Sequence, residues 1–189
     1  MDIVSFLEGI DVGILTFANG HHSHVLDILM WWISDRYVWL PLYLMFAVIF
    51  VRKLGWSRGL VVIICVGLLI TLTDQTCATY IRPAVARMRP SNPDNPISVC
   101  INIVNDYRGG AYGFPSCHAA NTFAFAVYTS LIIKRRCIAI GLISWSLLVS
   151  YSRLYLGVHY PSDLLGGMVI GGAYAGTFYI LLKKLKMVD

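Results

Sequence analysis

The chain has 189 residues, 57% of them hydrophobic and only 13% charged, with a net charge of +5 and a mean hydropathy of +0.67. Such sparse charge excludes a soluble globular domain and a nucleic-acid-binding module, and marks an integral membrane protein with the bilayer as its partner.

In chain order, residues 3–17 are apolar but carry Glu8 and Asp11, and lack the basic start and small-residue cleavage site of a signal peptide. They read as a short amphipathic or interfacial helix, with a sixth span as the alternative. His21, His22 and His24 follow Asn19-Gly20 in a turn, with no cysteine or repeated ligand spacing to make them a metal site. Residues 25–33 form another short helix with Trp31 and Trp32 at interface level. Five runs then have the character of spans: residues 38–51, 60–81, 119–133, 137–151 and 164–182. They read as helices, since barrel strands would show short alternating segments. The expected architecture is all-α, a polytopic membrane bundle of about six helices. One domain covers residues 1–189: short N-terminal helices to residue 35, a core bundle over 36–182 and a basic tail over 183–189.

The placement of charge orients this bundle. Arg52, Lys53 and Arg58 share one loop, Lys134, Arg135 and Arg136 another, and Lys183, Lys184 and Lys186 the tail. An up-and-down path puts all three on one face, which the positive-inside rule makes cytoplasmic. Arg36, Arg82, Arg87, Arg89, Arg108 and Arg153 fall on the opposite face, and five of them belong to or lie near three polar islands at helix ends. Of five cysteines, none forms a CxxC pair. Cys77, Cys100 and Cys117 lie toward the outer side, which leaves one disulfide open, and Cys65 and Cys137 read as packing residues.

The first island is RPAVARMRP, residues 82–90. Arg82 and Arg89 are seven apart, two helical turns on nearly one face, and Arg87 falls off that line. Two guanidinium groups aimed one way suit a multivalent oxyanion such as phosphate. The second island ends in Pro115-Ser116-Cys117-His118. Ser116 is a natural N-cap, the amides after it face an anion, and His118 can exchange a proton near neutral pH. In the third, Ser152-Arg153 closes one span, Tyr160-Pro161 breaks the chain, and His159 precedes Asp163 by four residues. That carboxylate can fix the tautomer of the imidazole and leave its other nitrogen free to attack phosphorus.

Together the islands resemble the signatures of the type 2 phosphatidic acid phosphatase superfamily, membrane lipid phosphatases that share a helical core with vanadium haloperoxidases. Its Lys-x6-Arg-Pro, Pro-Ser-Gly-His and Ser-Arg-x5-His-x3-Asp motifs correspond here to Arg82-x6-Arg89-Pro90, Pro115-Ser116-Cys117-His118 and Ser152-Arg153-x5-His159-x3-Asp163. The resemblance covers roughly residues 60–182. It implies that His159 attacks phosphorus to form a phosphohistidine, that Asp163 orients it, and that His118 protonates the leaving oxygen and later activates water. Arg82, Arg89, Arg153, Ser116 and the Cys117 backbone would hold the phosphoryl oxygens, and no metal or other cofactor is implied. Two positions depart from the pattern: Arg82 replaces lysine, and Cys117 replaces glycine, which would cost activity if the position demanded a glycine-only conformation.

The substrate expected on this resemblance is a lipid phosphate or diphosphate whose tail stays in the bilayer. Polyprenyl diphosphate and lipid A phosphate rank ahead of phosphatidylglycerophosphate and phosphatidate. The expected setting is a bacterial inner membrane with the site facing the periplasm. Three alternatives stand beside this reading. A phosphotransferase would pass the phosphoryl group to an alcohol, and a haloperoxidase would hold vanadate. A transporter would use Asp74, in the polar patch Thr71 to Thr76, as an ion-path carboxylate; the preferred role for Asp74 is support of the arginines.

Overall fold

The computed structural model describes residues 3–188, and its architecture is all helical. Helix α1 (Ile3–Gly20) and helix α2 (His24–Ser34) precede a 3-10 turn over Arg36–Trp39 that runs into α3 (Leu40–Leu54). The next helix, α4 (Trp56–Gln75), passes through a π-helical turn (Thr76–Ile81) into the single turn α5 (Arg82–Val85). After a long connection come α6 (Cys117–Ile133), α7 (Arg136–Tyr155) and α8 (Pro161–Lys184).

The boundaries follow from local chemistry. Ser23 and Ser116 cap α2 and α6 by accepting from the amides of Leu26 and Ala119. Gly55, at φ 82°, turns the chain between α3 and α4. Ala86, in the left-handed region, ends α5, and Lys134 ends α6 in the same way. Pro161 opens α8, and the Asp163 carboxylate three residues into the helix accepts the Tyr160 amide at 2.9 Å.

Four helical stretches, Arg36–Leu54, Trp56–Val85, Arg136–Tyr155 and Pro161–Lys184, are long and apolar enough to cross a membrane. The run at residues 119–133 becomes the 17-residue α6, shorter than those four. It is apolar all round because it is enclosed by protein: it packs most extensively on α8, then on α7 and α4. Its close approach to α8 depends on Gly171, where a Cβ would collide with the Ala120 carbonyl. Below this seam Tyr43, Phe125 and Trp145 meet edge-on, with ring centroids 4.6 Å apart for the first pair and 6.1 Å for the second.

Helix α1 is tied to the bundle by polar contacts at the site end. The Asn19 amide donates to the Tyr155 and Asn102 carbonyls, each at 2.8 Å, and its oxygen accepts the Asn102 amide at 2.8 Å. At the other end, Lys53 Nζ donates to the Ile133 carbonyl at 3.1 Å, so the basic loops after α3 and α6 lie together. The polar islands occupy the opposite ends of the same helices.

Candidate active site

The site is built where α5, α6, α7 and α8 present their outer ends. His159 lies in the turn between α7 and α8 and is 1% exposed. Its Nδ1 is 3.3 Å from Oδ2 of Asp163, and its Nε2 is 3.0 Å from Nη1 of Arg89. A guanidinium can only donate, so Nε2 carries the lone pair and the ring proton sits on Nδ1, facing the carboxylate. Burial, and then the charges of Arg89, Arg153 and Arg82, hold this imidazole well below the usual histidine range. It is therefore neutral at physiological pH.

Arg89 is itself held rigidly: Nε donates to the Tyr112 carbonyl and Nη1 to the Val158 carbonyl, both at 3.0 Å. Burial together with the nearby Arg82 and Arg153 draws its pKa down to about 10, the electrostatic signature of three guanidinium groups around one pocket. Gly113 closes the back of the site, since a Cβ there would stand 2.9 Å from Asp163 Oδ2 and 3.2 Å from Arg89 Cγ.

Arg82 donates from Nη2 to the Pro115 carbonyl and to Cys117 Sγ, each at 3.0 Å. Arg153 is 3% exposed. It donates to Ser34 Oγ and, at 3.2 Å, to the Tyr107 hydroxyl, whose ring it also faces. The Nε–H groups of Arg82 and Arg153 are buried without an acceptor among the described residues. A buried donor without a partner costs stability, and each of these two is open to an acceptor that enters the site. His118, in the first turn of α6, lines two adjoining cavities of about 400 and 580 Å³ and lies within electrostatic reach of His159.

One expectation about geometry is corrected. Arg82 and Arg89 do not share a helical face: α5 stops at Val85, Ala86 turns left-handed, and Arg89 sits in extended chain beside the Met88–Tyr112 bridge. They approach one another because that loop folds back. Cys117 adopts ordinary right-handed helical backbone, so its position does not demand a glycine-only conformation. All five cysteines are free thiols. Asp74 Oδ1 accepts from Asn121 Nδ2 at 3.1 Å, and among the described residues it forms no ion pair with an arginine.

Arg87, set aside by helical spacing, is central to the structure. Its Nη1 reaches Asp163 Oδ1 at 2.9 Å and Ser162 Oγ at 2.5 Å, its Nη2 reaches Asp11 Oδ2 at 2.6 Å, and it stacks 4.2 Å over the Tyr160 ring. Asp11 in turn accepts the Ser162 amide at 2.9 Å and the Ser162 hydroxyl. An isolated carboxylate in an apolar helix was the available signal for Asp11; nothing in the spacing pointed to Ser34 or Tyr107.

Two imidazoles and three guanidinium groups gathered at the ends of apolar helices are the groups a membrane phosphatase would use. The comparisons give the same class. The family model of the PAP2 superfamily matches residues 56–187, and the chain belongs to that superfamily. It is 42% identical over 183 residues to a lipid A 4'-phosphatase of Bacteroides thetaiotaomicron, covering 97% of this chain and 81% of that one. It is 30% identical over 166 residues to an undecaprenyl-diphosphatase of Sulfolobus acidocaldarius, covering 86% and 74%. The fold is shared with a transmembrane PAP2-type phosphatidylglycerolphosphate phosphatase from Bacillus subtilis, at a TM-score of 0.69 and 20% identity over 94% of this chain and 87% of that one. The chain is thus an integral membrane lipid phosphatase.

Proposed function

We propose that this enzyme removes a terminal phosphate from a lipid through a phosphohistidine on His159, at the periplasmic face of a bacterial inner membrane, with lipid A 4'-phosphate as the foremost candidate substrate. Four groups divide the work. As the phosphoryl group enters, Arg89 transfers its hydrogen bond from Nε2 of His159 to a phosphoryl oxygen, a stronger acceptor. The freed lone pair attacks phosphorus, the N–P bond forms and the ester P–O bond breaks. His118, once it has taken up a proton beside the entering phosphate anion, gives that proton to the departing oxygen, so the product leaves as an alcohol. Asp163, against the Nδ1 proton, stabilises the cationic phosphohistidine. Neutral His118 then takes a proton from water as its oxygen attacks phosphorus, the P–N bond breaks, and phosphate leaves with both histidines restored.

Arg82, Arg153, the Ser116 hydroxyl and the Cys117 amide are suited to the charge that spreads over the equatorial oxygens in transfer. The observation that carries this reading is the lone pair of Nε2, fixed between Arg89 and Asp163 beside two buried guanidinium N–H groups without acceptors. The 42% identity to a lipid A 4'-phosphatase favours that substrate. The basic loops at the other end of the bundle favour the periplasmic orientation.

The test is phosphate release by purified protein in detergent, with chelator present, from a panel of lipid A 4'-phosphate, polyprenyl diphosphate, phosphatidylglycerophosphate and phosphatidate. Release that favours the first and vanishes in His159→Ala supports the reading. Release that survives in His159→Ala, or that the chelator abolishes, contradicts it.

A further inference from the structure

We infer that Asp74 and Asn121 form a subsite that recognises a hydrogen-bond donor on the leaving group, and so selects phosphate monoesters of alcohols that carry a hydroxyl beside the reacting oxygen or an amide N–H further round the same ring. An N-acylated amino sugar is the lipid headgroup chemistry that fits. This rests on the phosphatase reading above and adds the determinant of specificity.

Both residues line the cavity of about 580 Å³ between α3, α4, α6 and α7, which opens at His118 and shares Arg36 and Ser34 with the smaller phosphate-side cavity. Asn121 follows His118 by three residues on α6, about 4.5 Å along the helix axis. A group next to the oxygen protonated by His118 therefore arrives at Asn121.

What the pair offers is set by its own hydrogen bond. An ionised carboxylate accepts only, so the contact of 3.1 Å fixes the amide with Nδ2–H toward Asp74 Oδ1. Asn121 Oδ1 is left buried without a partner. Nearby, Thr71 donates its hydroxyl proton to the Gly67 carbonyl at 2.9 Å and likewise presents lone pairs, whereas the Thr122 hydroxyl is already shared between the His118 carbonyl and Ser146 Oγ. A carboxylate, an amide oxygen and the committed Thr71 hydroxyl favour a donor and disfavour a second phosphate or an ester carbonyl.

The experiment compares kcat/KM for two lipids in detergent: an N-acylated glucosamine 4-phosphate lipid with its 3-hydroxyl free, and phosphatidate, whose neighbouring oxygen is an acceptor-only ester. Wild type is expected to favour the amino-sugar lipid by tenfold or more, roughly one well-made hydrogen bond. Asn121→Ala, and the nearly isosteric Asp74→Asn as the variant least disturbing to folding, are expected to lower that ratio about tenfold, mainly through KM. An unchanged ratio, with both substrates slowed in proportion, overturns the subsite while leaving the phosphatase reading intact. Absence of phosphate release by wild type from either lipid overturns both.

Discussion

Arg87 holds Asp163 at 2.9 Å through the carboxylate oxygen that His159 does not face. With Asp11 on its other side, it completes a chain from α1 through Asp163 to the imidazole. Asp163 is fully buried, and a buried carboxylate keeps its charge and orientation only when its oxygens are satisfied.

Arg87 therefore acts by positioning. Arg87→Gln is expected to lower kcat by about ten- to a hundredfold with little change in KM, since the contact lies behind the reacting nitrogen. Arg87→Lys is expected to restore part of the loss. Steady-state kinetics on a single lipid phosphate distinguishes this from a defect in substrate binding, which would appear in KM.

The pH profile reports on His159. Attack requires the neutral ring, and burial with Arg89, Arg153 and Arg82 keeps it neutral below the usual histidine range, against the opposing pull of Asp163. The acid limb of kcat/KM is expected below pH 6.5. A neighbouring cation disfavours the imidazolium, so removing one raises the pKa: Arg89→Gln is expected to move the limb upward by about half a pH unit or more. The second ionisation of the substrate, near pH 6, is common to both proteins and cancels in the comparison. A limb that stays in place would mean that His159 does not govern it.

Arg82 tests the departure from the usual lysine. One nitrogen, Nη2, makes both contacts, to the Pro115 carbonyl and Cys117 Sγ, while Nε–H awaits an acceptor. Arg82→Lys keeps the charge and loses the fork, and is expected to retain activity within about tenfold. Arg82→Ala is expected to lose a hundredfold or more in kcat/KM, as removal of a donor from a developing oxyanion does. Equal losses in the two variants would show that geometry, not charge, sets its contribution.

The sequence revealed what is local and what is compositional. Spans could be read from hydropathy because a membrane demands long apolar helices. The His159–Asp163 pairing could be read because four residues across a turn fix their proximity. The link of Asp11 to Ser162 could not be read, because it joins residues 151 apart in the chain. The convergence of Arg82 and Arg89 was anticipated for a reason the structure replaces: a left-handed turn at Ala86 and a returning loop bring them together, and no helical periodicity encodes such a fold-back. Cys117 carried a doubt that only its backbone angles could settle.

The most direct test of the central claim is rapid quenching of the enzyme during turnover of a lipid carrying a labelled terminal phosphate, followed by peptide mapping. The account predicts an acid-labile, base-stable phosphoryl group on the peptide containing His159, absent in His159→Ala and longer-lived in His118→Ala, where water is no longer activated. Label on Cys117, or continued turnover by His159→Ala with no labelled peptide, would contradict it.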